Sequence, residues 1–169
     1  HGTSRRQRQM CIRDRSTVTE RDLLPMSRGA LRGPLPIDAQ GRCTSIAVGT
    51  YANDHHYPGE DWPLAPKSVR WGGRWSGTPF CIPFDALISD AIPNLVMAEK
   101  GFSVSHMANG ATRLQPLILN LGQVAGLAAA MAVRQGCDLG DLAVESIQSA
   151  LIHEPKAPAA VLPIWDWPH

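Results

Sequence analysis

Apolar residues are spread unevenly along the chain, and their spacing predicts where its elements lie. From Leu117 to Val133 (LILNLGQVAGLAAAMAV) nearly every position is apolar. That length suits about 25 Å of helix at ~1.5 Å per residue, and such a helix is expected to be buried almost all round. Gly122, Ala125, Gly126, Ala129 and Ala130 give it a small-residue ridge that would let a sheet approach closely. A membrane span is the competing reading of the same run, but Asn120 and Gln123 lie inside it and no aromatic or basic belts flank it. A second helix is predicted over Ala143–Ile152, where Val144, Ile147 and Leu151 recur at i, i+3 and i+7. Ser45–Tyr51 alternates as a strand does, and Val69–Trp71 is a shorter strand ending at a Gly72–Gly73 turn. Pro79 and Pro83 confine Phe80–Phe84 to an edge or extended segment. Ile92-Pro93-Asn94 reads as a turn, and Leu95–Ala98 as a short buried strand. Residues 24–44 carry no periodicity and read as an irregular connection. The tail after Ile152 holds four prolines with Trp165 and Trp167, and is expected to lie extended across the surface.

Composition narrows the class. Charged residues are 18% and hydrophobic ones 44% of 169, which allows a packed core and excludes a disordered chain. Fifteen Gly and fourteen Pro imply many turns and an α/β class with α+β character. The net charge of +1 argues against a nucleic-acid-binding face. That value hides five Arg against one Asp in residues 1–15, which leaves 11 bases against 14 acids in the rest. The opening stretch, HGTSRRQRQMCIRDR, has no periodicity. Its MCIRDR resembles the conceptual translation of a transposon end used in preparing sequencing libraries, so residues 1–15 are set apart as disordered or artefactual. Cys11, Cys43, Cys81 and Cys137 are far apart, without metal-site spacing, and read as free, buried, reduced thiols. No apolar leader run is present, which makes a cytoplasmic location the default expectation.

Three groups of residues invite chemistry. Asp54, His55, His56, Glu60 and Asp61 suggest a metal, but adjacent histidines diverge and no further ligand has motif spacing, so no metal is expected. Trp71 and Trp75 read as sheet core that could also line a pocket. Residues 94–126 form the third group: strand NLVMAEKG, loop FSVSHMANGA, then TRLQP opening the apolar helix. Thr112 and Gln115 have capping-box spacing, so the helix begins at Thr112, or else Gln115 caps and Pro116 takes the first helical position. In both cases the unbonded N–H groups around 113–117 present the positive end of the helix dipole to an anionic or electron-rich ligand.

The stretch IPNLVMAEKGFSVSHMANGATRLQPLILNLGQVAGLAAAMAV resembles the C-terminal flavin-contacting segment of the FAD-dependent oxidoreductase family. YANDHHYPGEDWPLAPKSVRWGGRWSGTPFCIPFDALI is similar to that family's substrate-side sheet, and the matches span roughly residues 45–152, extended by TVTERDLL at 17–24. The resemblance implies FAD as cofactor, hydride transfer to or from an unidentified small-molecule substrate, and the C-terminal part of a Rossmann-type flavoprotein with a substrate domain inserted in its FAD domain. It divides the chain into 1–15; a substrate-side β-rich region, 16–90; a flavin-contacting strand, loop and helix with the terminal helix, 91–152; and the Pro/Trp-rich tail, 153–169.

It also assigns residues. Thr112, Arg113, Leu114, Gln115, Pro116 and Leu117 would lie beside the N1–C2=O edge of the isoalloxazine. There a helix dipole worth ~0.5–1 kcal/mol would raise the potential by about 10–20 mV. Glu99 and Lys100, ending the strand, would reach the ribityl hydroxyls. His106 would move a proton, or serve only as a structural hydrogen-bonding group. Arg113 would hold a substrate anion or a flavin oxygen, or simply pair with a carboxylate. No G-x-G-x-x-G turn occurs in the 169 residues. The expected partner is therefore a missing N-terminal FAD-binding portion, without which the chain is expected to bind FAD weakly and to be inactive. No membrane or nucleic-acid partner is expected. The alternative is a non-catalytic interaction module, packing on a partner chain through its apolar helix and Trp-rich tail.

Overall fold

The computed structural model describes residues 15–25, 27, 30–51, 78–163 and 166. The expected strand Val69–Trp71, the Gly72–Gly73 turn, the polar loop from Asp54 to Asp61, Trp71, Trp75, Trp165, Trp167 and Cys11 lie outside them. Four α-helices and one two-stranded antiparallel sheet are described: α1 (Glu20–Leu23), β1 (Ser45–Gly49), β2 (Phe80–Pro83), α2 (His106–Thr112), α3 (Gln115–Gln135) and α4 (Val144–Ile152). This mixed architecture is compatible with the α/β expectation.

The sheet forms where β-branched and aromatic residues can be buried on both faces. Ala47 pairs with Ile82, Val48 with Cys81 and Gly49 with Phe80, with an irregularity between Ser45 and Ala47. Gly49 has to be glycine, because a Cβ there would run into the Phe80 ring. Ile46, Ile82, Phe80 and Phe84 are fully buried, and α3 and α4 close over them with Leu121, Val124, Ala128, Ile147 and Leu151. Burial of each such side chain stabilises by ~1.5–3 kcal/mol. Gln148 of α4 donates to the carbonyls of Cys43 and Ser45 at 2.9 and 2.8 Å, which fixes the start of β1 to the helical layer.

Two extended pieces lace the layers together. Residues 15–18 run beside two segments at once: Arg15 and Ser16 donate backbone N–H groups to Ile88 and Asp85, and Val18 pairs in parallel with Val104. Arg15, the last residue of the stretch set apart from the fold, also reaches the Gly140 carbonyl and lies 3.3 Å from Asp90. The described tail residues run back along α4 and β1, and Ala159 and Val161 are buried in the core rather than lying on the surface. Ala159 donates to Leu151, Ser45 donates to the Val161 carbonyl, and Arg32 grips both oxygens of Asp166 at 2.6 and 3.0 Å.

Several expectations need correction. Leu95–Ala98 is not a buried strand. Only Val96 forms a bridge, to Ile88, while Leu95, Val96 and Met97 are half-buried and Ala98 is exposed. A four-residue apolar run lacks the length and the partner that a strand needs. The segment FSVSHMANGA is not all loop, because its second half is the helix α2. α3 does not start at Thr112, which instead closes α2, and Leu114 is the residue before the first turn. Nor is α3 buried all round: 44% of its most apolar window is buried, while Leu119 is 72% and Val133 83% exposed. By length and composition alone this helix could cross a membrane, a test that core helices of soluble proteins also pass. Among the described residues the Gly122/Gly126 ridge does not seat a sheet, since a Cβ at either position meets none of them within 4 Å. The helix ends where expected physics requires, with Gly136 left-handed at φ 64° and the Gly136 and Cys137 N–H groups returned to Val133 and Ala132.

Candidate functional site

The start of α3 is assembled from two consecutive helix ends. α2 opens at His106 because Ser105 caps it, its hydroxyl accepting from the Ala108 N–H at 3.1 Å. It runs only to Thr112, Arg113 turns the chain, Leu114 is extended, and α3 begins at Gln115 with Pro116 in the first turn. Proline there removes only a donor that the helix does not use. No side chain caps this start, so the first-turn N–H groups of Gln115 and Leu117 face outward with the positive end of a 21-residue helix behind them. Arg113, Gln115 and Pro116 are exposed there and Leu114 is half-buried.

The residues anticipated for the site divide by what each can offer. Arg113 and Gln115 present side chains at the surface, whereas Leu117 is 4% exposed, packs in the core and can offer only its backbone. Thr112 is fully buried, and its hydroxyl has no hydrogen-bond partner among the described residues. The buried amide nitrogen of Asn120, one and a half turns into α3, is likewise unpartnered among them. Buried polar atoms in this state cost ~1–3 kcal/mol each. His106 is half-buried with its Nε2 inside the protein, at the first position of α2 rather than in a loop. Glu99 and Lys100 do not end a strand. They sit in a 3-10 turn, Glu99–Gly101, packed against α3 with both side chains exposed. Glu99 is held at φ 61°, a left-handed conformation costing ~1–2 kcal/mol outside glycine.

A separate cleft of about 220 Å³ lies at the sheet end of the molecule, lined by Asp22, Asp38, Asp85, Thr44 and Cys81 among others. Its groups are tuned differently. Burial lifts the Asp85 carboxyl above its ordinary value, against the pull of Arg15. The backbone N–H of Arg42, assisted by its guanidinium, holds Asp38 below its usual range. Burial also pushes the Cys81 thiol up to about 11, which leaves it protonated and poorly nucleophilic. Cys43, Cys81 and Cys137 are free thiols as expected, but only Cys81 is buried, Cys43 and Cys137 being half-buried. Among the described residues no group of three or more His, Cys, Asp and Glu is placed to hold a metal ion.

The signal that sequence reasoning missed was Ser105, a favoured helix-capping residue three positions before Ala108. It was masked by Asn109-Gly110, a pair that ordinarily marks a turn. An uncapped helix start suits an electron-rich ligand. No curated protein and no solved structure matches the chain. The sequence model of FAD dependent oxidoreductases matches residues 11–151, most of the chain. The chain therefore belongs to the FAD-dependent oxidoreductase family, whose cofactor is FAD.

Proposed function

We propose that the chain is the flavin-facing C-terminal part of a Rossmann-type oxidoreductase that passes hydride between a small organic substrate and FAD. The observation that carries this reading is the exposed start of α3, which no side chain caps, in a chain whose family uses FAD. FAD, when bound, supplies the hydride-accepting chemistry. The chain's own residues do the rest. The N–H groups of Gln115 and Leu117 stabilise negative charge at the start of α3. Glu99 and Lys100 lie on the turn beside α3, where they would reach a polyhydroxyl chain. His106 takes or gives a proton at its imidazole as substrate is transformed. Arg113 orients an anionic or carbonyl oxygen with its planar guanidinium.

The nucleotide half of FAD needs a phosphate-binding Gly-rich turn that these 169 residues lack. A further portion bearing that turn completes the site, and the outward face of α3 is the apolar surface that it would cover. Co-expression of this chain with an upstream G-x-G-x-x-G-bearing portion is expected to yield a yellow complex that keeps its flavin through gel filtration. In that enzyme His106→Ala and Arg113→Ala should slow single-turnover flavin reduction by about 10²-fold or more without unfolding the protein. Stoichiometric flavin on the purified 169-residue chain alone would refute the need for the other portion. Unchanged reduction rates in both variants would leave the two residues with structural roles only.

A further inference from the structure

Ser105 immediately precedes His106, and every polar atom that it owns is committed. Its N–H donates to the Val18 carbonyl at 2.8 Å, its carbonyl accepts from the Asn109 N–H at 3.0 Å, and its hydroxyl oxygen accepts from the Ala108 N–H at 3.1 Å. The hydroxyl proton goes to Oε2 of Glu20, at 3.2 Å and 85 residues away in sequence. Glu20 is itself held in place. It is the first residue of α1, whose start is tied by the Thr19 N–H and hydroxyl to Asp22 at 2.7 and 2.9 Å. The strand-like contact that brings the two segments together is the Val18–Ser103 hydrogen bond at 3.0 Å, flanked by Thr17 and Ser103 hydroxyls 2.9 Å apart.

We propose that Glu20 is a positioning residue for His106: its carboxylate fixes the Ser105 hydroxyl, and that hydroxyl fixes the first turn of the helix on which His106 is the first residue. A serine hydroxyl is a free rotor, and alone it can turn its proton toward water and its lone pairs away from Ala108. A carboxylate acceptor removes that freedom, because a charge-assisted bond is roughly twice as strong as a neutral one. Donation to Glu20 also polarises the hydroxyl oxygen into a better acceptor for the Ala108 N–H. The negative charge further suits the positive end of α2. The effect matters because an imbalance of ~1 Å at a proton-handling group can cost about 10²-fold in rate.

The inference rests on the reading of His106 as the proton-handling residue, but it can be tested apart from it. In the 169-residue chain, the imidazole ¹H–¹³C correlation of His106 is identified by its loss in His106→Gln, with His153 on the far end of α4 as internal reference. Glu20→Ala is expected to shift the His106 signal, or to split or broaden it, and to leave His153 in place. Glu20→Gln should restore most of the wild-type signal, since its amide oxygen can still accept from Ser105. Ser105→Ala should reproduce the Glu20→Ala change, and the double variant should add nothing to it. In the flavin-loaded enzyme Glu20→Ala should lower kcat about tenfold with KM unchanged, and Glu20→Gln should recover it. A His106 signal superimposable on wild type in folded Glu20→Ala and Ser105→Ala proteins would overturn the proposal, as would a Gln variant as perturbed as the Ala one. If His106→Ala leaves flavin reduction unchanged, the catalytic reading fails, and the imidazole signals still decide whether Glu20 positions His106.

Discussion

The two long faces of α3 are almost equally apolar in sequence and entirely different in the structure. The inner face, Leu117, Leu121, Val124, Ala128 and Met131, is 5% exposed or less throughout and packs against the sheet and α4. The outer face, Leu119, Gly122, Gly126, Ala129 and Val133, repeats with the same three- and four-residue steps. Yet it carries the two most exposed large apolar side chains described, and two glycines facing open space. Hydrophobicity fixed the element and its amplitude of burial could not be read from it. A helix that is apolar all round is waiting for a second neighbour as well as the first. On the reading proposed above, that neighbour is the nucleotide-binding portion, and the exposed helix start lies at one end of the seam that it would cover.

The largest expected contrast lies between two leucines one half-turn apart. Leu121→Ala, at a fully buried site, should destabilise the chain by about 2–5 kcal/mol in urea unfolding. Leu119→Ala, at a site 72% exposed, should change it by no more than about 0.5 kcal/mol. Equal losses would mean that the outer face is covered in this chain too. A smaller effect of opposite sign is expected at Gly126→Ala, which should stabilise the isolated chain by about 0.5–1 kcal/mol, because the added methyl enters open space on a helix. Gly126→Leu should instead impair flavin retention after co-expression with the upstream portion, if close approach at the seam is what builds the enzyme.

The smallest effects come from two aspartates in one cleft. Burial raises the Asp85 pKa, so the folded state favours its protonated form. The stability that it contributes is present at low pH and is lost as pH rises from about 3.8 through the raised value. Asp85→Asn should therefore stabilise at neutral pH, by roughly 0.5 kcal/mol given that the group is half-exposed. Asp38 is the reverse case. Its lowered pKa gives stability that is present above about 3.8 and lost as pH falls through the depressed value, so Asp38→Asn should destabilise slightly at pH 7 and less at pH 2. Thermal unfolding at both pH values checks the two signs.

The elements that could be read from sequence are those whose signal lies within a few turns. α4 emerged within one residue of its limits, β1 within two, and the body of α3 from composition alone. The starts of α2 and α3 were misread because Thr112 and Gln115 have capping-box spacing by coincidence, and because Asn109-Gly110 hides a helix capped by Ser105. Leu95–Ala98 failed for a different reason: an apolar run becomes a strand only with a partner along its length, and Ile88 alone answers it. The residues around the mouth of α3 could be named in advance, since a helix start announces its own free amides. Glu20 could not, since nothing local ties it to Ser105, and only the pairing of Val18 with the 103–105 segment brings them together.

The central claim is that the amides at the start of α3 set the electrostatics of the flavin, and its most direct test is the flavin midpoint potential of the assembled enzyme carrying Gln115→Glu. Gln115 is exposed at the first position of the helix, so a carboxylate fits there and opposes the dipole. The potential should fall by about 10–20 mV or more, corresponding to ~0.5–1 kcal/mol against charge gained on reduction. A potential identical to wild type, in a folded and flavin-loaded variant, would place the cofactor elsewhere and contradict the account.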